Sequence, residues 1–452
     1  MSEFTDPANR AHIARGFGTG SAQSPVRTIF ETDTRDAAGT LRIAYHGRMI
    51  PEDQTQRHVS QSPENADFYN DPYRFYAQLH AVGGPVYWED YGFWCLSEFD
   101  AVNSALKDSR FARLPPAGTA APEHPAHLSD FAEVERHSLL ALEHPEHTRI
   151  RRSVNQAFMN RHVMQMAGNI EQLANQLIDG FEDRSSVDLL SEYATRLPVT
   201  VIARLLGVPE SACDSLLDWS HAMVRVYTLT QTKEEEHRAN RASAEFRELL
   251  LSLIHQRRRT PADDLLSHLV HLKSDPLSDA EIVSTAVLLL NAGHEATVHQ
   301  IGNAVKTLLA LNWPTHWIDD IQAGDRIVAE AMRFDAPLHL FTRYAQEEVE
   351  LHEGIVVHKG EQIALLLGAA NRDQKRFALA HEFNPDRDDA ASVAFGAGSH
   401  FCIGATLAKL EMRIAINTLF KRLPNLTLVG DASYQNNFHF HGLESLKVAW
   451  SC

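Results

Sequence analysis

The sequence contains few cysteines and little positive charge. Its four cysteines, among 452 residues, stand at positions 95, 213, 402 and 452 and form no C-x-x-C pair. This spacing makes a disulfide framework or a structural zinc motif improbable, and it favours a reducing cytoplasm. The formal net charge of -17 argues against a nucleic-acid partner, which would require a basic surface.

Long apolar runs are missing as well. The N-terminal segment has no apolar run, so the sequence predicts neither a signal peptide nor a membrane anchor there. The longest strongly apolar stretch, around residues 282–290, is too short to span a bilayer. About 44% of the residues are apolar, which is enough to bury a large core. We therefore expect a soluble, cytoplasmic protein without membrane or nucleic-acid partners.

The pattern along the chain predicts one large, mainly helical domain with a minor sheet. Residues 1–60 are polar and weakly periodic, and we expect a partly disordered N-terminal extension there, followed by a single domain over residues 61–452. A hairpin is predicted with its turn at Asp90–Gly92, and short strands are predicted within residues 343–370. Residues 110–135 are expected to form a long loop rich in proline and alanine, which is more often functional than idle.

A long central helix is predicted to begin at Ser278. Ser278 and Glu281 form a capping box, and no proline follows before Pro314, so the helix would extend for about 50 Å at 1.5 Å per residue. Gly293 lowers the stability of this helix by roughly 1 kcal/mol relative to alanine. Glu295 places a carboxylate at a position that the surrounding apolar residues predict to be buried. These two departures indicate a functional groove, although a packing glycine beside a buried ion pair explains them equally well.

The segment FGAGSHFCIG, residues 395–404, places Cys402 in a glycine-rich loop. The glycines indicate that the backbone there bends closely around a neighbouring group. A thiolate can bind a soft metal or haem iron. Gly396 would free backbone N–H groups to approach the sulfur, and Gly404 would let the next helix start close to a flat cofactor. Phe395 would shield the sulfur. Taken alone, a glycine-flanked cysteine is more often inert than a ligand.

Three motifs together resemble the cytochrome P-450 superfamily of haem-thiolate monooxygenases. FGAGSHFCIG fits the family's haem loop, F-G-x-G-x-H-x-C-x-G, at every fixed position; residues 330–333, EAMR, fit its E-x-x-R pair; and residues 291–297, NAGHEAT, fit its oxygen-activation segment with one departure. They occur in the family's order, with about seventy residues between Arg333 and Cys402. The resemblance covers roughly residues 65–450. It implies a mainly α fold with a minor β-sheet and a long central helix over the haem.

The resemblance also implies the cofactor and its ligands. Haem b would be bound through Cys402 as the proximal thiolate. The other cofactor-binding residues that it implies are His147, Arg151, Arg343, His400, Phe395, Gly396, Gly404 and Ala292. For His147 and Arg151, which lie four residues apart on one helical face, a surface charge cluster is the alternative.

Further residues acquire structural or pocket roles from the same resemblance. Glu330 and Arg333 are spaced to form a bidentate buried pair, and Arg387 is implied as the third member of this structural group. The substrate-pocket residues that the resemblance implies are Leu289, Leu338, Leu340 and Phe438. His439 and His441 alternate and could share one strand face, for which a metal site is an alternative interpretation.

The departure from the family pattern lies at Ala296. Most members place a threonine directly after the acid of the central helix, whereas this chain reads Glu295, Ala296, Thr297. That hydroxyl normally helps to hold water while protons arrive. Glu295 remains as a catalytic proton relay, and Thr297 is displaced by about 100° around the helix. A substrate hydroxyl or carbonyl, an ordered water, or peroxide-driven turnover could replace the missing group.

The implied activity is that of an external monooxygenase. It would insert one oxygen atom of O2 into a hydrophobic small organic substrate, by hydroxylation or epoxidation, with electrons from a ferredoxin or flavodoxin and its reductase. Basic residues that could dock an acidic donor, or that are simply solvated, are Arg149, Arg152, Lys409 and Arg413. The alternatives are a peroxide-driven peroxygenase and a haem-binding sensor without turnover.

Overall fold

The computed structural model describes residues 56–119, 124–227, 231–313, 317–388 and 391–451, and the backbone of three short strands nearer the N-terminus. The chain forms two compact units, residues 1–56 and residues 57–452. In the first unit, strands β1 (Thr32–Arg35), β2 (Leu41–Tyr45) and β3 (Arg48–Met49) form an antiparallel sheet. The rest of the predicted N-terminal extension, up to residue 55, lies outside the described residues.

The mainly helical fold predicted for the larger unit is confirmed. Its helices are α1 (Ala66–Asn70), α2 (Tyr73–Val82), α3 (Phe99–Ala105), α4 (Ser129–Glu135), α5 (Glu146–Asn155), α6 (Asn160–Gln165), α7 (Ala167–Asp179), α8 (Arg196–Leu206), α9 (Cys213–Val224), α10 (Lys233–Arg259), α11 (Leu265–Val270), α12 (Asp279–Ala310), α13 (Ile321–Phe334), α14 (Leu367–Ala370) and α15 (Ala405–Arg422). Within the described part of the chain, none of these helices has the length and apolar character needed to cross a membrane.

The strands of this unit are short. They are β4 (His58–Val59), β5 (Val86–Trp88), β6 (Phe93–Leu96), β7 (Phe111–Ala112), β8 (Ser186–Asp188), β9 (Leu340–Ala345), β10 (Val349–His352), β11 (Ile355–Val357), β12 (Gln362–Leu366), β13 (Thr427–Leu428) and β14 (Lys447–Ala449). The main sheet has the order β4-β5-β6-β12-β9-β7, with the predicted β5–β6 hairpin inside it. Because β7 pairs with β9, the residues after β7 lie beside the strand that carries Arg343.

The segment from 110 to 135 is more regular than its composition suggests. After β7 it contains a 3-10 turn at Ala126–Leu128 and then α4. Its last third is helical because Leu128, Phe131 and Val134, three residues apart, are all buried. The prediction of a loop was therefore wrong for this part. The prolines that precede it indicated a loop, and the helical spacing of the apolar residues after them was overlooked.

The central helix α12 matches its prediction closely. The Ser278 hydroxyl and the Glu281 carboxylate form the predicted capping box, and the helix extends over 32 residues. A Cβ added at Gly293 would lie 3.2 Å from the Ile202 side chain of α8. Gly293 therefore lets α8 and α12 pack closely, which supports the packing explanation for this glycine.

A carboxyl group is buried within α15. Glu411 is 2% exposed, and among the described residues its Oε2 has no hydrogen-bond partner. Burial raises the pKa of Glu411 well above its usual value. The folded chain therefore keeps a proton that the unfolded chain releases once the pH exceeds the usual carboxyl pKa. Stability must fall as the pH rises through this range, by up to about 1.4 kcal/mol per pH unit.

We expect Glu411→Gln to match the wild type near about pH 5 and to be the more stable protein near about pH 8, because glutamine carries no proton to lose. Urea unfolding at both pH values measures the difference in the free energy of unfolding. Glu171→Gln, on the exposed face of α7, is the matched control and should not alter the pH dependence. A Glu411→Gln protein whose stability varies with pH as the wild type does would contradict the prediction.

Candidate functional site

Cys402 lies in a tight loop that ends where α15 begins. Gly396 and Gly398 have φ angles of 69° and 70°, in the left-handed region that glycine adopts without steric cost. The Cys402 N–H donates a hydrogen bond to the Phe395 carbonyl oxygen at 3.0 Å and closes the loop. The loop therefore holds Cys402 at the N-terminal end of α15.

Two glycines of this loop have different surroundings. A Cβ added at Gly398 would lie 2.4 Å from the Leu106 carbonyl oxygen, so the backbone of another segment requires glycine there. A Cβ added at Gly404 would meet only the Phe158 ring, at 3.8 Å. Open space therefore adjoins the start of α15, as a flat cofactor beside Cys402 would require.

The surroundings of Cys402 favour the thiol over the thiolate. Burial raises the pKa of the Cys402 thiol, and the Gly404 N–H, Arg151 and Lys409 oppose this rise only in part. A metal cation that replaces the thiol proton would supply the missing positive charge. The protein thus buries the sulfur but does not fully balance the negative charge of a thiolate, which a bound cation would do.

Two imidazoles meet beside the loop. The rings of His147, on α5, and His400 lie 4.4 Å apart between centroids, and His400 Nε2 lies 3.2 Å from the Glu143 carboxylate. His147 is buried, and no described residue forms a hydrogen bond with its Nε2. Burial, with the charges of His400 and Arg151, lowers the pKa of His147 to about 4. A buried ring nitrogen is therefore left for a polar ligand.

Two guanidinium groups share one backbone carbonyl in the same region. Arg343, on β9, is buried and donates to the Thr342 carbonyl oxygen at 2.8 Å, and Arg113 donates to that oxygen at 3.3 Å. Burial lowers the pKa of Arg343 to about 10, and the charge of Arg113 contributes. Within the described residues, neither side chain forms an ion pair. Glu143 acts on both charges without forming an ion pair with either, so they are only partly compensated and could bind an anionic ligand.

Arg151 has a different partner from the one that the family resemblance implies. Its guanidinium donates a hydrogen bond to the Phe401 carbonyl oxygen, immediately before Cys402 in the chain. Arg151 therefore ties the cysteine loop to α5. His147, four residues earlier on that helix, keeps the unpartnered nitrogen.

These residues fit a haem. An unsatisfied buried polar group costs about 1–3 kcal/mol, and the His147 nitrogen and the two guanidiniums would find partners in the carboxylates that haem carries. Cys402 supplies one soft donor for iron. Ala292 is exposed, whereas Asn291 and His294 beside it on α12 are buried, so this side of α12 borders an internal space that could receive the ring.

Ala296 lies one helical turn after Ala292, on the same side of α12, which we call the groove side. Ala296 is partly exposed, whereas Thr297 is buried and its Oγ1 donates a hydrogen bond to the Gly293 carbonyl oxygen at 3.1 Å. The Thr297 hydroxyl is thus satisfied by its own helix. This geometry argues against the predicted catalytic role of Thr297 and leaves the groove without a hydroxyl at this level of α12.

Glu295 lies among three imidazoles. Its carboxylate oxygens are 3.4 Å from His294 Nε2, 3.5 Å from His299 Nε2 and 3.7 Å from Nε2 of His221, on α9. Burial alone would raise the pKa of Glu295, but the interactions with His294 and His299 outweigh it and hold the pKa well below its usual range. Glu295 is therefore ionised, close to the exposed surface of Ala292 and Ala296.

The E-x-x-R residues form a buried ionic group. Arg333 donates to the Glu330 carboxylate twice, at 2.7 and 2.8 Å, and Arg387 Nε donates to Glu330 Oε1 at 3.0 Å. Arg333 also donates to the backbone carbonyls of Ala380 and Glu382. The group therefore anchors the chain segment that leads into the cysteine loop.

The predicted pocket residues do not share one surface. Leu338 is partly exposed and forms an isolated β-bridge with Phe440, whereas Leu289 and Leu340 are buried in core clusters. Phe438 is packed into an aromatic cluster, with its ring 5.0 Å from that of Phe68 and 5.4 Å from that of Trp88. Their burial argues against Leu289, Leu340 and Phe438 as pocket walls, and Phe440 is the better candidate beside Leu338.

The histidines next to Phe438 also differ from expectation. No strand is formed by residues 438–441, so regular alternation does not apply to them. His441 is buried, with its ring stacked on Tyr434 at 3.8 Å and its Nε2 3.2 Å from Asp335. His439 is partly exposed and is not part of this group. The two histidines therefore do not form one metal-binding face.

Sequence reasoning missed five residues of the site: Arg113, Glu143, His221, His294 and His299. The histidines at 294 and 299 stood in the sequence next to Glu295 and one helical turn after it. Arg113, Glu143 and His221 gave no local signal, because strand pairing and helix packing bring them to the site from distant segments.

Comparison with known proteins agrees with this geometry. A family model described as Cytochrome P450 matches residues 318–430. The biotin biosynthesis cytochrome P450 of Bacillus subtilis is 32% identical over 400 residues, which cover 87% of this chain and 99% of that protein. The 6-deoxyerythronolide B hydroxylase of Saccharopolyspora erythraea is 34% identical over 401 residues, which cover 85% and 97%.

Solved structures show the same fold. The crystal structure of P450BioI in complex with hexadec-9Z-enoic acid ligated acyl carrier protein has a TM-score of 0.80 and 31% identity, and the match covers 85% of this chain and 100% of that one. Epothilone D-bound cytochrome P450epoK has a TM-score of 0.81 and 26% identity, with 87% and 100% covered.

Proposed function

Because the chain belongs to the cytochrome P450 family, we propose that it is a monooxygenase of hydrophobic small organic molecules that takes electrons from a separate ferredoxin or flavodoxin. The observation that carries this proposal is the glycine-rich Cys402 loop in the region of the Arg343 and Arg113 guanidiniums, neither of which forms an ion pair within the described residues. The haem-binding domain comprises residues 61–452, with residues 1–60 as an N-terminal extension. The free thiols of Cys95 and Cys213 support a cytoplasmic location.

Haem b bound through a thiolate supplies the activation of O2 and the transfer of one oxygen atom to the substrate. Cys402 provides the thiolate, and the Gly404 N–H moderates its charge. Arg343, Arg113 and His147 would bind the haem carboxylates, and His400, which contacts both Glu143 and His147, would position His147. Phe395, Gly396 and Ala292 would lie beside the ring.

Proton delivery depends on Glu295. Its carboxylate is ionised and lies one residue before Ala296, where the groove side of α12 is exposed. Since Thr297 donates its hydroxyl to its own helix, Glu295 passes protons through a substrate hydroxyl or carbonyl, or through an ordered water. The retained acid supports O2-driven over peroxide-driven turnover.

The substrate is an apolar molecule that carries an oxygen function. Leu338, Phe440 and Ala296 give the space beside α12 apolar borders, and the absent hydroxyl at 296 favours a substrate that supplies one. Terpenoids, steroids, polyketides and aromatics share these properties. A relative named for polyketide biosynthesis, 31% identical over 406 residues, favours polyketides among them.

The electron donor docks near the Cys402 loop. Of the four basic candidates, Arg149 and Arg413 form ion pairs within the chain, whereas Arg152 and Lys409 are exposed. Phe401, next to Cys402, is 44% exposed and adds an apolar contact. An acidic ferredoxin or flavodoxin would meet this combination of charge and apolar surface.

A spectral titration of the ferric protein tests the proposal. The ligands are apolar compounds in pairs, with and without a hydroxyl or carbonyl, and we expect the oxygenated members to shift the haem from low to high spin. Turnover of these ligands with reduced ferredoxin and ¹⁸O2 should then place one labelled atom in the product. Product formed only with peroxide, or no product with either oxidant, would contradict the monooxygenase assignment.

We expect Ala296→Thr to raise the fraction of electrons recovered as product about 2- to 10-fold for ligands that lack a hydroxyl, because one added hydrogen bond contributes about 0.5–1.5 kcal/mol. Oxygenated ligands should gain less. Ala296→Val has nearly the shape of the threonine variant without its hydroxyl and serves as the control. If the valine variant improves coupling equally, volume and not the hydroxyl is responsible.

A further inference from the structure

A histidine cluster surrounds Glu295 on the side of α12 that faces α9. It consists of Glu295, His294 and His299 on α12 and His221 on α9. The ligand atoms of His221, His294 and Glu295 all lie within 4.8 Å of one another. The His294 side chain is 1% exposed, whereas the His221 side chain is 54% exposed, so the cluster extends from the core to the surface.

The distances within this cluster differ from those of hydrogen bonds. The imidazole nitrogens of His294, His299 and His221 lie 3.4, 3.5 and 3.7 Å from the Glu295 oxygens. Hydrogen bonds between nitrogen and oxygen measure about 2.7–3.2 Å. Two ligands of a tetrahedral Zn²⁺ ion are roughly 3.3–3.5 Å apart, because each lies about 2.0–2.2 Å from the metal. The spacing therefore suits ligands around an ion.

The tautomer of His294 supports this interpretation. His294 Nδ1 lies 2.7 Å from the Leu290 carbonyl oxygen, which can only accept, so Nδ1 carries the proton and donates it. Nε2 is then the ring atom that faces the Glu295 carboxylate, 3.4 Å away, and among the described residues it has no hydrogen-bond partner. A cation between the two atoms would be bound by both of them. Metal-binding histidines commonly donate their other N–H to a backbone carbonyl in this way.

We propose that His221, His294 and Glu295 form a binding site for one divalent transition-metal ion, with Zn²⁺ as its probe. Two imidazoles and a carboxylate suit this class of ion. In the described part of the chain, both ring nitrogens of His299 are buried without a hydrogen-bond partner, so His299 is available as a fourth ligand. The bound ion links α9 to α12 without contact to Cys402, and while it occupies the Glu295 carboxylate that group does not pass protons, so zinc would suppress the proposed turnover.

The charges around Glu295 permit a cation. Within the described residues, no lysine or arginine lies within salt-bridge distance of Glu295; its ion-pair contacts are to imidazoles alone. A metal ion would therefore not have to displace a lysine or arginine from these contacts.

A second cluster of possible ligands, Asp335, His339 and His441, does not carry the same inference. Its atoms also lie within 4.8 Å of one another. However, Asp335 Oδ1 accepts a hydrogen bond from the Tyr73 hydroxyl at 2.6 Å, and Oδ2 accepts one from the Tyr434 hydroxyl. Both carboxylate oxygens therefore already have donors, which a metal ion would have to displace.

The test uses the full-length, haem-loaded chain without an affinity tag. The protein is stripped with a chelator and dialysed against micromolar Zn²⁺, and zinc and iron are counted by elemental mass spectrometry. We expect one zinc ion per chain, with a zinc-edge X-ray absorption spectrum that shows nitrogen and oxygen ligands and no sulfur. A sulfur ligand, or no bound zinc, would overturn the proposal.

His221→Ala separates this site from adventitious zinc. Because the His221 side chain is more than half exposed, the variant should fold and retain its haem spectrum. Losing a ligand should weaken zinc binding by more than the roughly 10- to 100-fold typical of an outer-shell partner. His162→Ala, at an exposed position on α6, should bind zinc as the wild type does. Equal zinc in His221→Ala and the wild type would overturn the assignment.

Discussion

Cys402→Ser is expected to eliminate the haem-thiolate absorption spectrum and to reduce monooxygenase turnover to background. Serine preserves the shape of the loop, including the hydrogen bond from residue 402 to the Phe395 carbonyl oxygen. It cannot supply a thiolate, because a hydroxyl is far less acidic than a thiol. The measurement is the absorption spectrum of the reduced carbon monoxide complex, together with the haem content per chain.

Cys213→Ser is the matched control for Cys402→Ser. Cys213 is a free, buried thiol at the first position of α9, outside the glycine loop. We expect this variant to retain the spectrum and turnover of the wild type. A thiolate spectrum that survives in Cys402→Ser, or that disappears in Cys213→Ser, would show that Cys402 is not the ligand.

The features that could be predicted from the sequence are those that a short segment determines by itself. The capping box at Ser278 and the absence of proline before Pro314 sufficed for α12, because helix ends depend on residues within one turn. The bend of the cysteine loop likewise follows from its glycines, which adopt positive φ angles at Gly396 and Gly398. Such local signals defined the central helix and the bend, whereas the role of Cys402 as a ligand came from the resemblance of three motifs to a known family.

The features that could not be predicted depend on packing between distant segments. Arg113 reaches the Thr342 carbonyl because β7 pairs with β9, and the sequence alone does not indicate this pairing. His221 approaches Glu295 only because α9 packs on α12. Phe438 was assigned to the pocket, yet its ring packs into an aromatic cluster, because the segment around it does not form a strand with regular alternation.

Glu330→Gln is expected to destabilise the folded chain by about 3–5 kcal/mol, the range for a buried charge that loses its partner. The side chains of Glu330 and Arg333 are both 0% exposed, so the guanidinium of Arg333 would remain in the core without a countercharge. Arg387 would lose its carboxylate as well. Chemical denaturation followed by circular dichroism measures the change in the free energy of unfolding.

Asp386→Asn provides the comparison for this ionic group. Asp386 pairs with Arg326 at 3.1 Å, but the side chains are 79% and 47% exposed, and such surface pairs contribute about 0–1 kcal/mol. A Glu330→Gln protein no less stable than Asp386→Asn would contradict the assigned role. Since Arg333 also holds the carbonyls of Ala380 and Glu382, ahead of the cysteine loop, Glu330→Gln should lose haem at denaturant concentrations that leave Asp386→Asn loaded.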